Sequence, residues 1–452
     1  MVGTGIRSVN EAYVSEFLRL EGERKEAWSG AQAWLTPVRK AAIAAFAEHG
    51  FPDTKQEEWR FTDVSPIAAT AFRPVDKPVR TPSRREIEAY YPAGIEACRL
   101  VLVDGHFAPE LSAIDALRGA ACFGNLGSAL VRHAALVGGY LGQYAAVRGQ
   151  PFTALNTAFF ADGAFLYLPR EAVLEQPIHL LFVSTGANGP TVTHPRNLIV
   201  LGPGSKATVV ESYVGIAEGN YFTNTVTELV VGESASIDHY KLGHEAEDAF
   251  HIAALHIRQD RGSNVFSHAF AIGGGLVRND ISVVLEGEGA ECRLDGLSVL
   301  HGRQLVENHL RVEHARSDCR SREHFRSILD DRSRGIFSGR IVVRPGARKT
   351  DAKQTSRNLL LSDEARALAK PHLEIFADDV KCTHGVAIGQ IDEQALFYLR
   401  ARGIAETTAR TMLIYAFACE ALAGIRLPSV RRHLDDMLLA RLPRAGLLRE
   451  AL

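Results

Sequence analysis

A turn that keeps recurring constrains this chain more than any other feature. Between residues 204 and 349 six short turns appear: Gly204-Ser-Lys-Ala207, Gly232-Glu-Ser-Ala235, Gly262-Ser-Asn-Val265, Gly287-Glu-Gly-Ala290, His314-Ala-Arg-Ser317 and Gly346-Ala-Arg-Lys349. Counted from the fourth residue of each, the steps are 28, 30, 25, 27 and 32 residues. A repeat of that length marks units too small to bury an apolar face alone, which become stable by stacking on their neighbours. The runs between the turns, such as residues 208–213, 223–231 and 236–242, are β-rich, with almost no helical signal. The spacing predicts a β-solenoid, with one or more coils per period. Leucine-rich and ankyrin repeats are excluded, because their Leu/Asn and Thr-Pro-Leu-His signatures are missing. Aligning Glu286 and Cys292 with Glu313 and Cys319 predicts thiols stacked on neighbouring coils, an interior ladder of small apolar side chains.

The flanks have a different texture. Residues 1–150 read as a mostly helical domain with a linker. Tyr13, Phe17, Leu18 and Leu20 recur at helical spacing, and Thr36-Pro37 opens a second helix that stops at Gly50. All three tryptophans, Trp28, Trp34 and Trp59, fall within the first 59 residues and suggest a small helical core. Residues 74–92, rich in Pro and charge, form the linker, 99–104 a short strand and 126–144 a further helical stretch. Residues 151–391 are the solenoid. Residues 392–452 are a helical domain. Leu396, Phe397 and Leu399 share a face before Gly403, and Met412, Tyr415, Phe417, Cys419 and Leu422 mark a second helix. Pro428 opens the last one. This domain is expected to cap the solenoid or to dock a partner, since an open coil exposes unpaired strand edges.

Composition narrows the function. With 51 Lys+Arg against 53 Asp+Glu, the net charge of −2 gives the chain no global attraction for nucleic acid or an anionic membrane. Six cysteines form no dense framework. The start carries no apolar signal segment, and no run of about 18 apolar residues occurs, so a cytoplasmic protein is expected. Gly202-Pro-Gly-Ser-Lys-Ala207 lacks the spacing of a phosphate loop and has Ala where a magnesium-binding hydroxyl belongs. Gly273-Gly-Gly275 reads as a bend where backbone approaches backbone. Histidines 239, 244, 251, 256, 268, 301, 309, 314 and 324 are scattered, and most are expected to be solvated or to cap turns.

One pair carries chemistry. Val380-Lys-Cys-Thr-His-Gly385 sets Cys382 and His384 two apart, on the same face of an extended segment, with Lys381 on the other. Thiolate and imidazole suit iron or zinc. Two ligands cannot close a tetrahedral site. Either the pair is structural or a partner chain supplies the remainder.

Three segments resemble the SufB/SufD family of iron–sulfur cluster assembly proteins. They are Gln354-Thr-Ser-Arg-Asn-Leu-Leu-Leu-Ser362, Asp379-Val-Lys-Cys-Thr-His-Gly-Val-Ala-Ile-Gly-Gln-Ile-Asp392 and Phe397-Tyr-Leu-Arg-Ala-Arg-Gly-Ile404. Upstream, Glu57-Glu-Trp-Arg-Phe-Thr62 and Leu155-Asn-Thr-Ala-Phe-Phe-Ala-Asp-Gly163 are similar in style to the SufD branch. SufB-like chains carry a scaffold cysteine where this sequence has Ser362. The resemblance implies a right-handed parallel β-helix core flanked by N-terminal and C-terminal helical domains. It further implies a non-catalytic subunit that pairs with SufB through the β-helix ends and binds SufC, an ABC-type ATPase, through its C-terminal helices. Cys382 and His384 would then line the SufB interface, where a transient iron–sulfur cluster or iron is held and to which SufB adds ligands. No cofactor is expected to bind tightly in isolation, and no flavin motif is present. A homodimer in isolation is compatible with the same surfaces. The competing reading is a β-helix enzyme acting on polysaccharide.

Overall fold

The computed structural model describes residues 2–23, 32–95, 97–114, 121–186 and 189–442. From Arg196 onward the chain lays its strands alternately in an eleven-stranded and a ten-stranded sheet, ending with Arg366–Ile375 in the first and Lys381–Gly389 in the second. Along the stack the strands are parallel and in register. In the ten-stranded sheet Ala207, Ile237, Val265, Cys292, Ser321, Ala352 and Cys382 form one column. Each coil therefore takes 27 to 31 residues and contributes one strand to each sheet. The result is a parallel β-solenoid of about eight turns, as the turn spacing predicts.

What repeats is a backbone conformation. Gly204, Ser234, Gly262, Gly289, Asp318, Lys349 and Asp379 all have φ between 55° and 71°, one per coil, each three residues ahead of the column. Glycine adopts this left-handed turn without strain, and Asp or Ser tolerates it. Because the residue type varies, aligning the turns by their first residue slips the register. Cys292 faces Ser321, and Arg320 N donates to Ala290 O, so Cys319 lies two residues out of step with Cys292. The two thiols share the interior but do not form a ladder.

That interior is apolar. Ile199, Leu229, Ile257, Val283, Leu310 and Phe337 of one sheet meet Val209, Ile237, Val265, Leu294 and Phe325 of the other. Each such side chain contributes about 1.5–3 kcal/mol when buried. The stretch similar to a phosphate loop is a solenoid turn, and its Lys206 opens strand Lys206–Gly215 with no helix following. The triple glycine is a close approach, as expected. A side chain on Gly273 would strike the Glu245 carbonyl, and one on Gly275 would come within 2.8 Å of the Glu247 carbonyl.

Helical layers cover both outer faces. Helices Val2–Glu23 and Leu35–His49 place Tyr13, Phe17, Leu20, Ala42 and Phe46 with Trp59, against Phe222, Ile252, Leu276, Leu305 and Ile336 of the eleven-stranded sheet. Trp34 lies instead beside Leu126 and Leu130 in a neighbouring cluster, and Trp28 is outside the described residues. The Arg278 guanidinium lies 3.7 Å from the Trp59 ring centroid. On the opposite face, Ile414, Ala418, Ala421 and Leu422 of helix Glu406–Leu422 and Val430, Leu434 and Leu438 of helix Pro428–Arg441 pack on Tyr240, Phe266, Leu297, Ile328 and Leu359. The C-terminal helices therefore cover a side of the solenoid and leave its last coil open, because their apolar stripe meets the outward residues of the ten-stranded sheet. In helix Glu393–Arg400 only Leu396 is buried, and Phe397, expected on the same face, is 72% exposed.

The two ends differ. At the first, Cys98–Val103 pairs in parallel with Ile178–Ser184 and turns back antiparallel onto His106–Phe107. Cys122–Asn125 lies antiparallel on Ala164–Leu168. Of these strands Cys98–Val103, His106–Phe107 and Cys122–Asn125 precede residue 151, where helix Pro151–Phe159 begins. Among the described residues no helix is long and apolar enough to cross a membrane.

Candidate functional site

The last coil positions Cys382 and His384. Among the described residues, strand Lys381–Gly389 pairs only with Asp351–Leu360, and Arg366–Ile375 only with Arg334–Val343, so each has an edge that no described strand pairs. Strand alternation puts Cys382, His384, Val386 and Ile388 in the columns of the buried Ala352, Gln354, Ser356 and Asn358. They continue the interior of the solenoid, but no coil of the described residues lies above them. Leu368, Ile375, Phe376, Val386 and Ile388 are exposed there, Phe376 by 61%.

Within that end Cys382 is half-buried and packs with Val380 against Ile341, Val343, Ala347 and Ala352. Burial raises its thiol pKa above the ordinary value, so the neutral thiol is favoured until a cation or metal arrives. His384 is exposed, and its register partner is Gln354. Lys381 faces Asp351 in the adjoining column, on the outer side. The structure thus brings Cys382 and His384 to one uncovered edge, on the face expected from their spacing. Among the described residues no three His, Cys, Asp or Glu side chains converge on a point where they could hold a metal ion. Ser362 lies in the turn after strand Asp351–Leu360 and donates to Asp331 O at 2.6 Å.

Beneath the pair the interior is polar. Gln354 Nε2 donates to Glu323 Oε2 at 2.5 Å, and both side chains are buried. Burial lifts the Glu323 carboxyl to about 8 against the opposing pull of that hydrogen bond. Sequence reasoning missed both residues. Gln354 stands in a quoted motif, but its inward neighbours along the strand are Ala352, Ser356 and Asn358, and no apolar alternation marks that face.

None of the nine scattered histidines is fully exposed. His239, His251, His268 and His314 are buried, and the other five of the nine are half-buried. Local acceptors make this tolerable. His239 Nδ1 lies 2.9 Å from Ser267 Oγ, His251 Nδ1 2.7 Å from Glu245 Oε1, and His314 Nε2 3.0 Å from Ser321 Oγ. Burial keeps His251 and His314 neutral, with pKa values lowered to about 4. His309 is the exception. Burial pushes it down, but the Asp280 and Glu58 carboxylates overcome that and raise it to about 9. It belongs to a clamp in which Glu57 meets Lys370, Glu58 meets Arg340, and Thr62 meets Glu307. The clamp fastens the first helical layer beside the open end.

Comparison with known proteins fits this geometry. The SufBD core domain of the SUF system for FeS cluster assembly matches residues 182–417, and the SufBD protein N-terminal region matches residues 10–180. An iron-sulfur cluster assembly SufBD family protein of Synechocystis is 32% identical over 90% of this chain and 91% of its own length. The iron-sulfur cluster assembly protein SufD of Escherichia coli is 30% identical over 90% and 93%. Protein ABCI7, chloroplastic, of Arabidopsis thaliana is 29% identical over 86% and 82%. With both family models in sequence along the solenoid and its flanks, the chain belongs to the SufBD family of iron–sulfur cluster assembly proteins.

Proposed function

We propose that this chain is a non-catalytic, cytoplasmic scaffold subunit of the SUF system, which pairs with a SufB chain through its open last coil. The observation that carries the reading is the pair of unpaired strand edges, with Cys382 and His384 on the inward side of one and exposed apolar residues around them. An uncovered, apolar edge strand is a liability for a free protein and a ready joint for a partner strand. The partner would cover the apolar residues and add the ligands this chain lacks. The nascent iron–sulfur cluster is the cargo of that joint, and Cys382 thiolate and neutral His384 are its ligands on this side.

The C-terminal helices are the dock for the SufC ATPase. Phe397 and Tyr398 stand 72% and 57% exposed on helix Glu393–Arg400, with the Arg402 guanidinium 3.4 Å from the Tyr398 ring centroid. Exposed aromatic residues of this kind are typical anchors of a protein interface. Because these helices are packed on the solenoid flank, movement of the ATPase would reach the joint as a rigid-body shift. The polysaccharide-enzyme reading lacks comparable support, since the relatives are assembly proteins.

Coexpression with SufB and SufC chains, anaerobic purification, stoichiometry by mass and visible absorption test this reading. The expected product contains all three chains and a chromophore. His384→Ala should keep the complex assembled and sharply reduce the cluster absorbance, because it removes one of the ligands on this side. Full absorbance in that variant would remove the pair from the mechanism.

A further inference from the structure

The interior below the open end contains two polar atoms that no group among the described residues uses. Gln354 and Glu323 are 1% and 0% exposed, and each retains a buried Oε1 without a donor. Buried acceptors of this kind cost about 1–3 kcal/mol apiece when left unmade. Space has been cleared for them. Gly339 of the facing sheet has no side chain, and a Cβ there would strike the Gln354 carboxamide. Further down the same column stand Leu294 and Ser267, so the nearest side chain above Gln354 along the column is that of His384.

The bond direction is informative. Gln354 Nε2 points down to Glu323, which leaves Gln354 Oε1 as the acceptor for whatever lies above. A histidine that binds a metal through one ring nitrogen normally gives the N–H of the other to a carbonyl or carboxylate, which fixes tautomer and ring orientation. His384, exposed on the rim one coil above, is the register partner of the residue that carries that acceptor.

We propose that Gln354, anchored by Glu323, is the positioning residue for His384: its carboxamide oxygen takes one ring N–H and leaves the other nitrogen's lone pair facing the open end. The proposal rests on the scaffold reading above for what that lone pair binds, but the hydrogen bond needs only residues of this chain. Glu323 supports it from below. It accepts from the Gln354 amide nitrogen, so the carboxamide oxygen stays clear of it.

The test is the reactivity of His384 toward diethyl pyrocarbonate, read by mass spectrometry of its peptide from the full-length protein at pH 7. The reagent takes the free lone pair of a neutral imidazole. Gln354→Leu should slow modification of His384 severalfold, Gln354→Glu should restore it, and Gly339→Ala, which displaces the carboxamide from the other sheet, should slow it as well. A purely structural role predicts the opposite sign, because a loosened last coil exposes the ring and speeds modification. Circular dichroism confirms folding, and if the leucine variant fails to fold, the alanine variant decides. Unchanged or faster modification in both would overturn the proposal. In the coexpressed complex, Gln354→Leu should lower cluster absorbance by about tenfold. Loss with His384→Ala but not with Gln354→Leu sinks the positioning role alone. No loss with His384→Ala removes the pair from the cluster mechanism while the modification rates still judge the hydrogen bond.

Discussion

The two ends of the solenoid are built from the same inward alternation and have opposite fates. At the first end Cys98, Leu100 and Leu102 are fully buried, because an antiparallel return strand and the following layers use up the edge. At the last end Cys382, His384, Val386 and Ile388 occupy equivalent inward positions, yet Ile388 is 49% exposed. Residue type does not separate the two; what lies above them does. A stacked fold must end somewhere, and an end can be closed by the chain itself or reserved for another molecule. Charged residues at the open end, among them Arg366, Lys370 and Lys381, limit indiscriminate pairing without covering the apolar surface.

The comparison breaks most visibly if the open end is not a joint. Replacing Val386 and Ile388 together by Lys should weaken pairing with a SufB chain by about a thousandfold, since two buried anchors at about 2 kcal/mol each are lost. The thermal midpoint of the isolated chain should stay where it was, because both side chains already meet solvent. Retained pairing by size-exclusion chromatography with light scattering would mean that the partner sits elsewhere. The closed end should respond in the opposite way. Leu102→Ala should cost about 3–4 kcal/mol in urea unfolding, as a fully buried leucine does when cut to Ala. Ile388→Ala should cost under about 0.5 kcal/mol, the range for surface changes. Equal costs at the two ends would show that the last coil is covered in solution.

How much of this was legible in the sequence follows from what kind of signal each feature leaves. The solenoid was readable because turns and β-rich runs recur, and the Cys382–His384 pair because a spacing of two on a strand sets a common face. The register was not, since the recurring quantity is a left-handed φ that Gly, Ser, Asp and Lys share. Aligning Gly287 with His314 by position in the turn therefore slipped the Cys292–Cys319 match by two residues. The helices Glu406–Leu422 and Pro428–Arg441 were predicted from their stripes, but a stripe does not name the surface it meets, so capping and flanking look alike until Ile414 and Leu434 are seen beside Phe266 and Leu297. Buried histidines escaped for a similar reason. Their acceptors, Ser267 and Glu245 among them, come from other positions along the chain.

A stability change that depends on pH sharpens the comparison most, because it asks whether the open end sacrifices stability. Glu323 has an ordinary pKa of about 4.3 when unfolded, and burial lifts it to about 8 in the fold. The folded chain then holds a proton that the unfolded chain has released, so stability falls as pH rises from about 4.3 towards 8. Below about 4.3 both states are protonated and the penalty vanishes. Glu323→Gln removes the titration, while a buried amide retains part of the cost of burying a polar group. It should therefore stabilise the protein by about 2–3 kcal/mol at pH 8 and by almost nothing at pH 4. Urea unfolding at the two pH values measures the difference directly. A gain that is equal at both would mean that Glu323 is not held neutral by burial, and no gain would mean that its charge is compensated. The predicted pH-dependent gain would instead identify a carboxyl that weakens the fold one coil beneath Gln354 and two beneath His384. That is where local consistency is expected to yield when a position serves the site and not the core.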